Sequence, residues 1–187
     1  MNQKLKTSIA FARNIFVTGA FAQTSSDSEV EICRYVSDKP NTVVVEFGMG
    51  HGNITREILS RISPTSKLYA FEVKTSFCEH VRENIQDDRL IIVNDSAEFV
   101  KKYVKEEVNS LIASIPYSFF SKEKGLQIIQ DAHDLLVDDS YYSQVLYTKF
   151  NFKKFEEIFE DCKMKKISHF PNEYIYHCRK DMGMVKK

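Results

Sequence analysis

Short apolar strands alternate with amphipathic helical patterns along the chain from Asn41 onward. This alternation is typical of a parallel sheet whose strands are joined by helices that cross over its faces. Four such strands are predicted in order, and they read TVVVEF, KLYAFEV, RLIIVND and VNSLIASIPYS. After the first of them, Ile54, Ile58 and Ile62 recur at helical spacing, and a helix is also predicted over SAEFVKKYVKEE after the third. The hydrophobic pattern therefore predicts an α/β fold with a largely parallel sheet.

The C-terminal part of the chain departs from this alternation. A fourth helix, KEKGLQIIQDAHDLLV, is followed by the predicted strands YYSQVLYTKF and NEYIYHCRK, which flank a short predicted helix, FKKFEEIFEDC. Two late strands with so little between them favour an antiparallel pair appended to the parallel sheet.

The first 40 residues follow a helical pattern without strands. An amphipathic helix with basic residues on its polar side is predicted between Leu5 and Phe16, and a second helix from about Asp27 to Val36. Two interpretations of the first helix stay open: it packs over the core, or it lies in a membrane interface. We expect a single domain in which residues 1–40 form a helical lid over a core of residues 41–187.

Composition limits the classes of protein that fit. The chain has 187 residues, 43% of them hydrophobic, which suits one domain with a substantial core. Lysine and arginine together number 26, and so do aspartate and glutamate, so no bulk positive charge attracts nucleic acid. No apolar run approaches the roughly 20 residues that span a bilayer, and no signal peptide is evident. These features predict a cytoplasmic protein, with attachment to the inner membrane surface left open.

The cysteines are widely spaced and form neither a CxxC pair nor a cluster with metal-ligand spacing. They are Cys33, Cys78, Cys162 and Cys178. This spacing favours buried thiols in a reducing compartment, and we predict no metal site.

Three glycines follow the first strand at every second position, before a predicted helix. They are Gly48, Gly50 and Gly52, and Glu46 precedes them at the end of the strand. Glycine lets the backbone approach a ligand closely, and the following helix presents the positive end of its dipole. Alone, the same spacing also fits a tight strand-to-helix turn that binds nothing.

Acidic residues also end the second and third predicted strands. Glu72 follows Gly52 by 20 residues, the place where doubly wound folds put an acid that accepts hydrogen bonds from ribose hydroxyls. Asp95 and Ser96 follow the third strand and fit either a helix cap or a contact to an adenine amino group. Because carboxyl ends of parallel strands share one edge, these groups are expected to meet in one crevice.

The segment VEFGMGHGNIT, the acid at Glu72 and the pair Asn94–Asp95 together resemble the first three motifs of class I S-adenosylmethionine-dependent methyltransferases. The resemblance implies a Rossmann-like seven-stranded sheet, mostly parallel with one antiparallel strand and with helices on both faces. It also implies S-adenosylmethionine as the cofactor. The spacing of the glycines differs from the GxGxxG of dinucleotide-binding loops. The segment also lacks the phosphate-binding lysine of a P-loop.

Roles for individual residues follow from this resemblance by position. Glu46 would orient the glycine loop and reach toward the methionine end of the cofactor, and the three glycines would let the backbone pass methionine and ribose. Glu72 would bind the ribose hydroxyls, and Asp95 with Ser96 would flank the adenine.

The sequence feature that bears on the methyl acceptor is the end of the fourth predicted strand, which reads SIPYS. Ribosomal RNA adenine dimethyltransferases have a similar motif that begins with asparagine, where this chain has Ser114. Soluble bacterial phospholipid N-methyltransferases have a motif like Ser-Gly-Leu-Pro-Phe, and FVTGAFAQTSS and QVLYTKF are similar to other parts of that family. The second resemblance implies methylation of an amine such as a phosphatidylethanolamine head group, with Ser114, Pro116 and Tyr117 as catalytic candidates.

Other acceptors and a non-catalytic role stay open as alternatives. They are an RNA adenine, a small-molecule or protein amine, and a binding module that holds the cofactor without transferring a methyl group. RNA is the less expected partner because no separate basic RNA-binding domain is evident.

Overall fold

The described part of the chain comprises residues 24–147, 152–168 and 172–181 in a computed structural model. The predicted helix between Leu5 and Phe16, and with it most of the predicted lid, lies outside the described residues.

A seven-stranded sheet forms the centre of the fold, with strand order β3-β2-β1-β4-β5-β7-β6. The strands are β1 (Val43–Phe47), β2 (Lys67–Phe71), β3 (Leu90–Val93), β4 (Val108–Ala113), β5 (Leu136–Leu146), β6 (Asp161–Ile167) and β7 (Glu173–Arg179). Strands β1 to β5 pair in parallel, whereas β7 is antiparallel to both β5 and β6. The predicted α/β sheet with one antiparallel strand is confirmed.

Helices cover both faces of this sheet. They are α1 (Ser26–Ile32), α2 (Asn53–Arg61), α3 (Thr75–Asn84), α4 (Val100–Tyr103), α5 (Lys122–Leu135) and α6 (Phe152–Glu156). Alternate residues of β1 point to opposite faces, so Val45 packs in the core with α4, α5 and α6, and Val44 packs in the core with α1, α2 and α3. A sheet buried on both faces explains why its central strands are continuous apolar runs.

The last strand pair differs from the sequence prediction. The predicted helix FKKFEEIFEDC ends early, because α6 stops at Glu156 and the chain enters β6 at Asp161. Strand β6 was missed because its sequence, DCKMKKI, is largely polar, with Lys163 and Lys165 exposed. Among the described strands it pairs with β7 alone, at the edge of the sheet, and lysines on an edge strand discourage pairing with other chains.

Two other elements differ in length from their predictions. The helix predicted over SAEFVKKYVKEE is reduced to a 3-10 turn, Ala97–Phe99, and the four residues of α4. Strand β5 begins at Leu136, five residues before the predicted start, and includes Asp139 with a positive φ of 63°. The pairing of β4 with β5 is irregular at the same place, which accommodates Asp138 and Asp139. These two polar residues interrupt the apolar pattern, so the start of the strand was not predicted.

Helix α1 is fixed to the sheet and to α2 by carboxylates. The buried carboxylate of Glu173, at the start of β7, accepts hydrogen bonds from the hydroxyls of Ser25 (2.8 Å) and Ser28 at the N-terminus of α1. From α1, the Glu29 carboxylate accepts a hydrogen bond of 3.0 Å from the side-chain amide of Asn53, the first residue of α2. The N-terminal part of the described chain is therefore held beside the glycine segment.

The cysteine prediction is confirmed for most of the thiols. Cys33, Cys78 and Cys178 are buried free thiols, and Cys162 is a half-buried one. Among residues 24–147, 152–168 and 172–181, no cluster of His, Cys, Asp and Glu side chains is arranged to hold a metal ion. None of the helices in those ranges has the length and apolar character needed to cross a membrane.

Candidate functional site

A cavity of about 540 Å³ lies at the carboxyl ends of β1, β2, β3 and β4. Six of the predicted site residues line it, namely Gly48, Glu72, Asp95, Ser96, Ser114 and Pro116. Parallel strands bring these positions together, and Gly48 and Ser114 are 66 positions apart in sequence. The volume is in the usual range for a small-molecule site, roughly 300–1,000 Å³.

A smaller cavity, of about 50 Å³, lies against the glycine segment and is lined by Thr24, Gly50 and His51, among others. Gly48 and Ser114 line both cavities. His51 is exposed and its ring lies 4.6 Å from that of Phe77. The glycine segment is therefore in contact with two adjoining spaces rather than packed solidly against the sheet.

The three glycines of the segment are needed for different reasons. All have positive φ, 82° at Gly48, 51° at Gly50 and 86° at Gly52. A Cβ atom at Gly48 would lie 2.9 Å from Ile115 Cγ2, and one at Gly52 would lie 2.9 Å from Ile85 Cδ1. At Gly50, no described atom beyond the chain neighbours would lie within 4 Å of it. Close packing explains two of the glycines, whereas Gly50 leaves an open face.

Alanine substitutions at Gly50 and Gly52 should separate packing from ligand binding. Both variants strain a left-handed backbone, at about 1–2 kcal/mol, but Gly52→Ala adds a steric overlap with Ile85 that costs about 1–3 kcal/mol more. Urea denaturation is expected to show the larger loss of stability for Gly52→Ala. Calorimetric titration with S-adenosylhomocysteine is expected to show lost binding for Gly50→Ala, and native affinity in that variant would contradict a ligand at this face.

Glu72 fixes the end of β2 to the glycine segment. Its carboxylate is 8% exposed; Oε2 accepts a hydrogen bond from the Gly50 amide (3.2 Å) and Oε1 accepts one from the Lys74 amide (2.9 Å). Each carboxylate oxygen has a second lone pair. The group is therefore held in one orientation on the cavity wall while it keeps acceptor capacity for a ligand.

Asp95 is held in a similar way at the end of β3. Its Oδ1 accepts a hydrogen bond from the Ser96 amide (2.8 Å), and its Oδ2 accepts one from the Tyr103 hydroxyl (2.7 Å). The bond from Tyr103 contributes most to holding the pKa of Asp95 below its ordinary value. Ser96 caps the following 3-10 turn, with its hydroxyl accepting from the amide of Glu98. Helix capping and a place on the cavity wall thus coincide at these residues.

Glu46 lies under the glycine segment and is buried, with 1% of its surface exposed. Its Oε2 accepts a hydrogen bond of 2.7 Å from the Thr55 hydroxyl in α2, whereas Oε1 has no partner among the described residues. Burial, together with the negative charge of Glu72, raises the pKa of Glu46 to about 8. A buried carboxyl group with an unpaired oxygen is costly, which is typical of a group reserved for a ligand.

The segment after β4 is anchored to the glycine segment. The Ser114 hydroxyl donates to the Gly48 carbonyl (2.7 Å), and the Ser114 amide donates to the Phe47 carbonyl (2.8 Å). Ile115 and Pro116 follow on the cavity wall. Ser114 therefore links the two loops that face each other across the site.

Tyr117, a catalytic candidate from the sequence, is buried outside the two cavities. It is 2% exposed and lines neither of the two cavities, and its ring packs edge-on against Phe155 at 5.8 Å between centroids. Its hydroxyl forms a 2.6 Å hydrogen bond with the Tyr142 hydroxyl in β5. The structure thus places Tyr117 behind the cavity wall, next to Pro116, which lines the cavity.

Several apolar and aromatic cavity residues were not predicted from the sequence. They are Val73, Phe77, Ile115, Phe119 and Phe120, and Lys74 also lines the cavity. Val73 and Phe119 are 65% and 43% exposed at the cavity. Their signal in the sequence is position alone, because each follows a strand by a few residues. Exposed large apolar residues around a cavity mark a surface for ligand or partner contact.

Comparison with known proteins gives a partial sequence match and an extensive structural one. No family model matches the chain. Ribosomal RNA small subunit methyltransferase H of Christiangramia forsetii is 31% identical over 101 residues, covering 50% of this chain and 32% of the relative. The chain spans about a third of the length of the curated relatives it matches.

Solved structures match most of the chain. An rRNA methylase from Streptococcus thermophilus has a TM-score of 0.64 at 17% identity, over 83% of this chain and 95% of that one. The N-methyltransferase NodS from Bradyrhizobium japonicum WM9, solved with S-adenosylhomocysteine, has a TM-score of 0.66 at 8% identity, over 83% and 87%. This is the class I methyltransferase fold. Within the methyltransferase fold, the cavity of this chain lies at the usual crevice beyond the carboxyl ends of the strands.

Proposed function

We propose that this chain transfers a methyl group from S-adenosylmethionine to a nitrogen atom of an acceptor. The observation that carries the proposal is the meeting of four features around one cavity of a methyltransferase fold. They are the glycine segment, Glu72, Asp95 and the Ser114–Pro116 segment. The relative from Christiangramia forsetii supports the same class of reaction.

The residues at the cavity fit the proposed cofactor. The open face at Gly50 offers room for the backbone to run close to methionine. Glu46 lines neither cavity but is buried under the glycine segment, where its unpaired Oε1 would be an acceptor for the methionine ammonium group. Glu72 would accept hydrogen bonds from the ribose hydroxyls, since its carboxylate is already oriented by two amides. Asp95 and Ser96 would flank the adenine at the end of β3.

When bound, the cofactor supplies a methyl group on a sulfonium centre. The protein then has to align the nitrogen lone pair with the methyl carbon and exclude water, and a strong base is not needed for that alignment. The apolar wall formed by Ile115, Pro116, Phe119 and Phe120 suits the exclusion of water. An amine attacks only as the neutral species, so a protonated acceptor must first release a proton to the solvent.

For the acceptor we propose the amine of a phosphatidylethanolamine-like head group at a membrane surface. Aromatic rings such as those of Phe119 and Phe120 attract ammonium groups and their methylated products. The exposed apolar side chains of Val73 and Phe119 suit contact with a lipid surface. The resemblance of ASIPYSFF to the phospholipid N-methyltransferase motif supports the same acceptor. We also propose that the segment between Leu5 and Phe16, where an amphipathic helix is predicted, contacts the membrane surface.

An RNA base is the second candidate, and the comparisons favour it specifically. The curated relatives are ribosomal RNA methyltransferases, and one matching structure is an rRNA methylase. Aromatic side chains such as Phe119 also stack on unpaired bases.

Radiolabelled S-adenosylmethionine decides between these acceptors. The protein is incubated with phosphatidylethanolamine vesicles and, separately, with undermethylated small-subunit ribosomal RNA. Label is expected in the lipid, and label in RNA alone would overturn the lipid proposal in favour of the base. Label in neither, with S-adenosylhomocysteine still bound in calorimetry, would point to a small-molecule or protein amine. No binding of S-adenosylhomocysteine would overturn the proposed function itself.

A further inference from the structure

We infer that Gln144 is a positioning residue for the acceptor loop, defined as residues 114–117, and that Tyr117 acts through it without touching the acceptor. The inference rests on the proposed function, because it assigns the acceptor side of that same site. It is carried by a series of buried and partly buried hydrogen bonds that starts and ends in this loop.

The side chain of Gln144, in β5, is fully buried and uses both ends of its amide. Its Nε2 donates to the carbonyls of Ile115 (3.1 Å) and Val145 (2.9 Å), and its Oε1 accepts from the Tyr142 hydroxyl (2.8 Å). A flipped amide would set an oxygen against two carbonyl oxygens. The orientation is therefore fixed by its partners, and the Ile115 carbonyl is held by a side chain 29 residues away.

The direction of the remaining bond follows from the number of protons. A tyrosine hydroxyl has one proton to donate, and Tyr142 donates its proton to Gln144. In the 2.6 Å bond between the two hydroxyls, Tyr117 must therefore be the donor. Burial raises the pKa of both tyrosines, which keeps these donors protonated. The series of hydrogen bonds therefore runs from the Tyr117 hydroxyl through Tyr142 and Gln144 to the Ile115 carbonyl.

The acceptor loop is thereby held from two sides. Ser114 ties its start to Phe47 and Gly48 of the glycine side, and Gln144 and Tyr142 tie Ile115 and Tyr117 to β5. Ile115 and Pro116 form the cavity wall between these anchors. A displacement of about 1 Å in such a wall is enough to lower an alignment-dependent rate by about 100-fold.

The choice of glutamine also argues for positioning rather than stability. Burying a primary amide costs desolvation free energy, and an apolar residue of similar volume avoids that cost. Gln144 nevertheless occupies a site with no exposed surface, between the aromatic core and the cavity wall. The hydrogen bond from the Gln144 side-chain amide to the Ile115 carbonyl explains why a polar residue occupies this buried position.

The test uses Gln144→Met, which keeps the side-chain volume but removes the donors. We expect methyl transfer to phosphatidylethanolamine vesicles to fall by about 10- to 100-fold at saturating acceptor, with unchanged affinity for S-adenosylhomocysteine. Hydrogen exchange of residues 114–120, followed by mass spectrometry, should become faster. Tyr142→Phe removes the donor to Gln144 but keeps the ring, and it should shift both measurements in the same direction by less.

Ser143→Ala is the matched control on the same strand. Ser143 is buried on the opposite face of β5, where its hydroxyl is 2.8 Å from Nδ1 of His177. It should lose stability without any change in transfer rate or in exchange of residues 114–120. If Gln144→Met lowers stability alone, as this control does, the positioning role is overturned.

The two proposals fail in distinguishable ways. Absence of S-adenosylhomocysteine binding by the native protein overturns the proposed function, whereas unchanged exchange of residues 114–120 in Gln144→Met overturns the anchoring role. If Gln144→Met does not fold, Tyr142→Phe decides, and native exchange and rate in that variant reject the inference. If the native protein labels only RNA, the same rate measurement is made with that RNA.

Discussion

Replacing Glu72 with alanine is expected to weaken S-adenosylhomocysteine binding by at least about 100-fold. The carboxylate orients the Gly50 amide and the Lys74 amide, and in our proposal it also accepts the ribose hydroxyls. Hydrogen bonds to a charged group contribute about 1.5–3 kcal/mol each, so losing two of them exceeds 3 kcal/mol. Isothermal titration calorimetry with S-adenosylhomocysteine measures the effect directly, without knowledge of the acceptor.

Two further variants make the Glu72 result specific. Glu72→Gln keeps the shape and one acceptor oxygen, so its loss of affinity should lie between those of the native protein and Glu72→Ala. Glu79→Ala removes an exposed carboxylate of α3 and should bind with native affinity. Native affinity in Glu72→Ala would remove the ribose from this position and leave Glu72 as a support for the loop.

The sequence predicted that Gly48, Glu72 and Asp95 meet at one cavity because their positions depend on the order of strands and loops along the chain. A strand, three glycines and acids at the next two strand ends fix Gly48, Glu72 and Asp95 at one sheet edge through topology alone. Strand β6 escaped prediction for the opposite reason. An edge strand paired on one side needs little apolar surface, and DCKMKKI is dominated by charged residues, with Ile167 as its one β-branched residue.

The arrangement of residues 114–117 could not be predicted in the same way because it depends on packing between segments that are distant in sequence. The position of Tyr117 is set by Tyr142 in β5 and Phe155 in α6, and no pattern near Tyr117 reveals those neighbours. Gln144 and Ile115 meet for the same reason, since β4 and β5 are adjacent in the sheet. Motif resemblance therefore indicated a segment that lines the cavity, but not which of its side chains are exposed there.

Replacing Glu46 with glutamine is expected to raise the free energy of unfolding of the ligand-free protein, by an amount that grows with pH. The same change is expected to lower the affinity for the cofactor. The pKa of Glu46 is raised to about 8 in the folded chain, above its ordinary value of 4.5. Between these two values the unfolded chain loses the proton and the folded chain keeps it. The folded state binds more protons there, so the free energy of unfolding falls as pH rises.

The size of this effect follows from one proton. The contribution of Glu46 to the free energy of unfolding falls by about 1.4 kcal/mol per pH unit, or about 2–3 kcal/mol between pH 6 and pH 8. It stops falling above the pKa that Glu46 has in the folded protein. Glu46→Gln cannot ionise and lacks this dependence. Urea denaturation at pH 6, 7 and 8 should therefore show a stability difference, variant minus native, that grows with pH.

Glu46→Gln should at the same time bind S-adenosylhomocysteine about 10- to 100-fold more weakly, because the methionine ammonium group would lose a buried carboxylate partner. Glu83→Gln neutralises an exposed acid of α3 and should change neither quantity. A stability difference that stays constant from pH 6 to pH 8 would show that Glu46 does not titrate in this range. Native affinity in Glu46→Gln would place the ammonium group elsewhere. A gain in stability together with a loss of affinity would mean that the carboxylate opposes folding and is retained for the ligand.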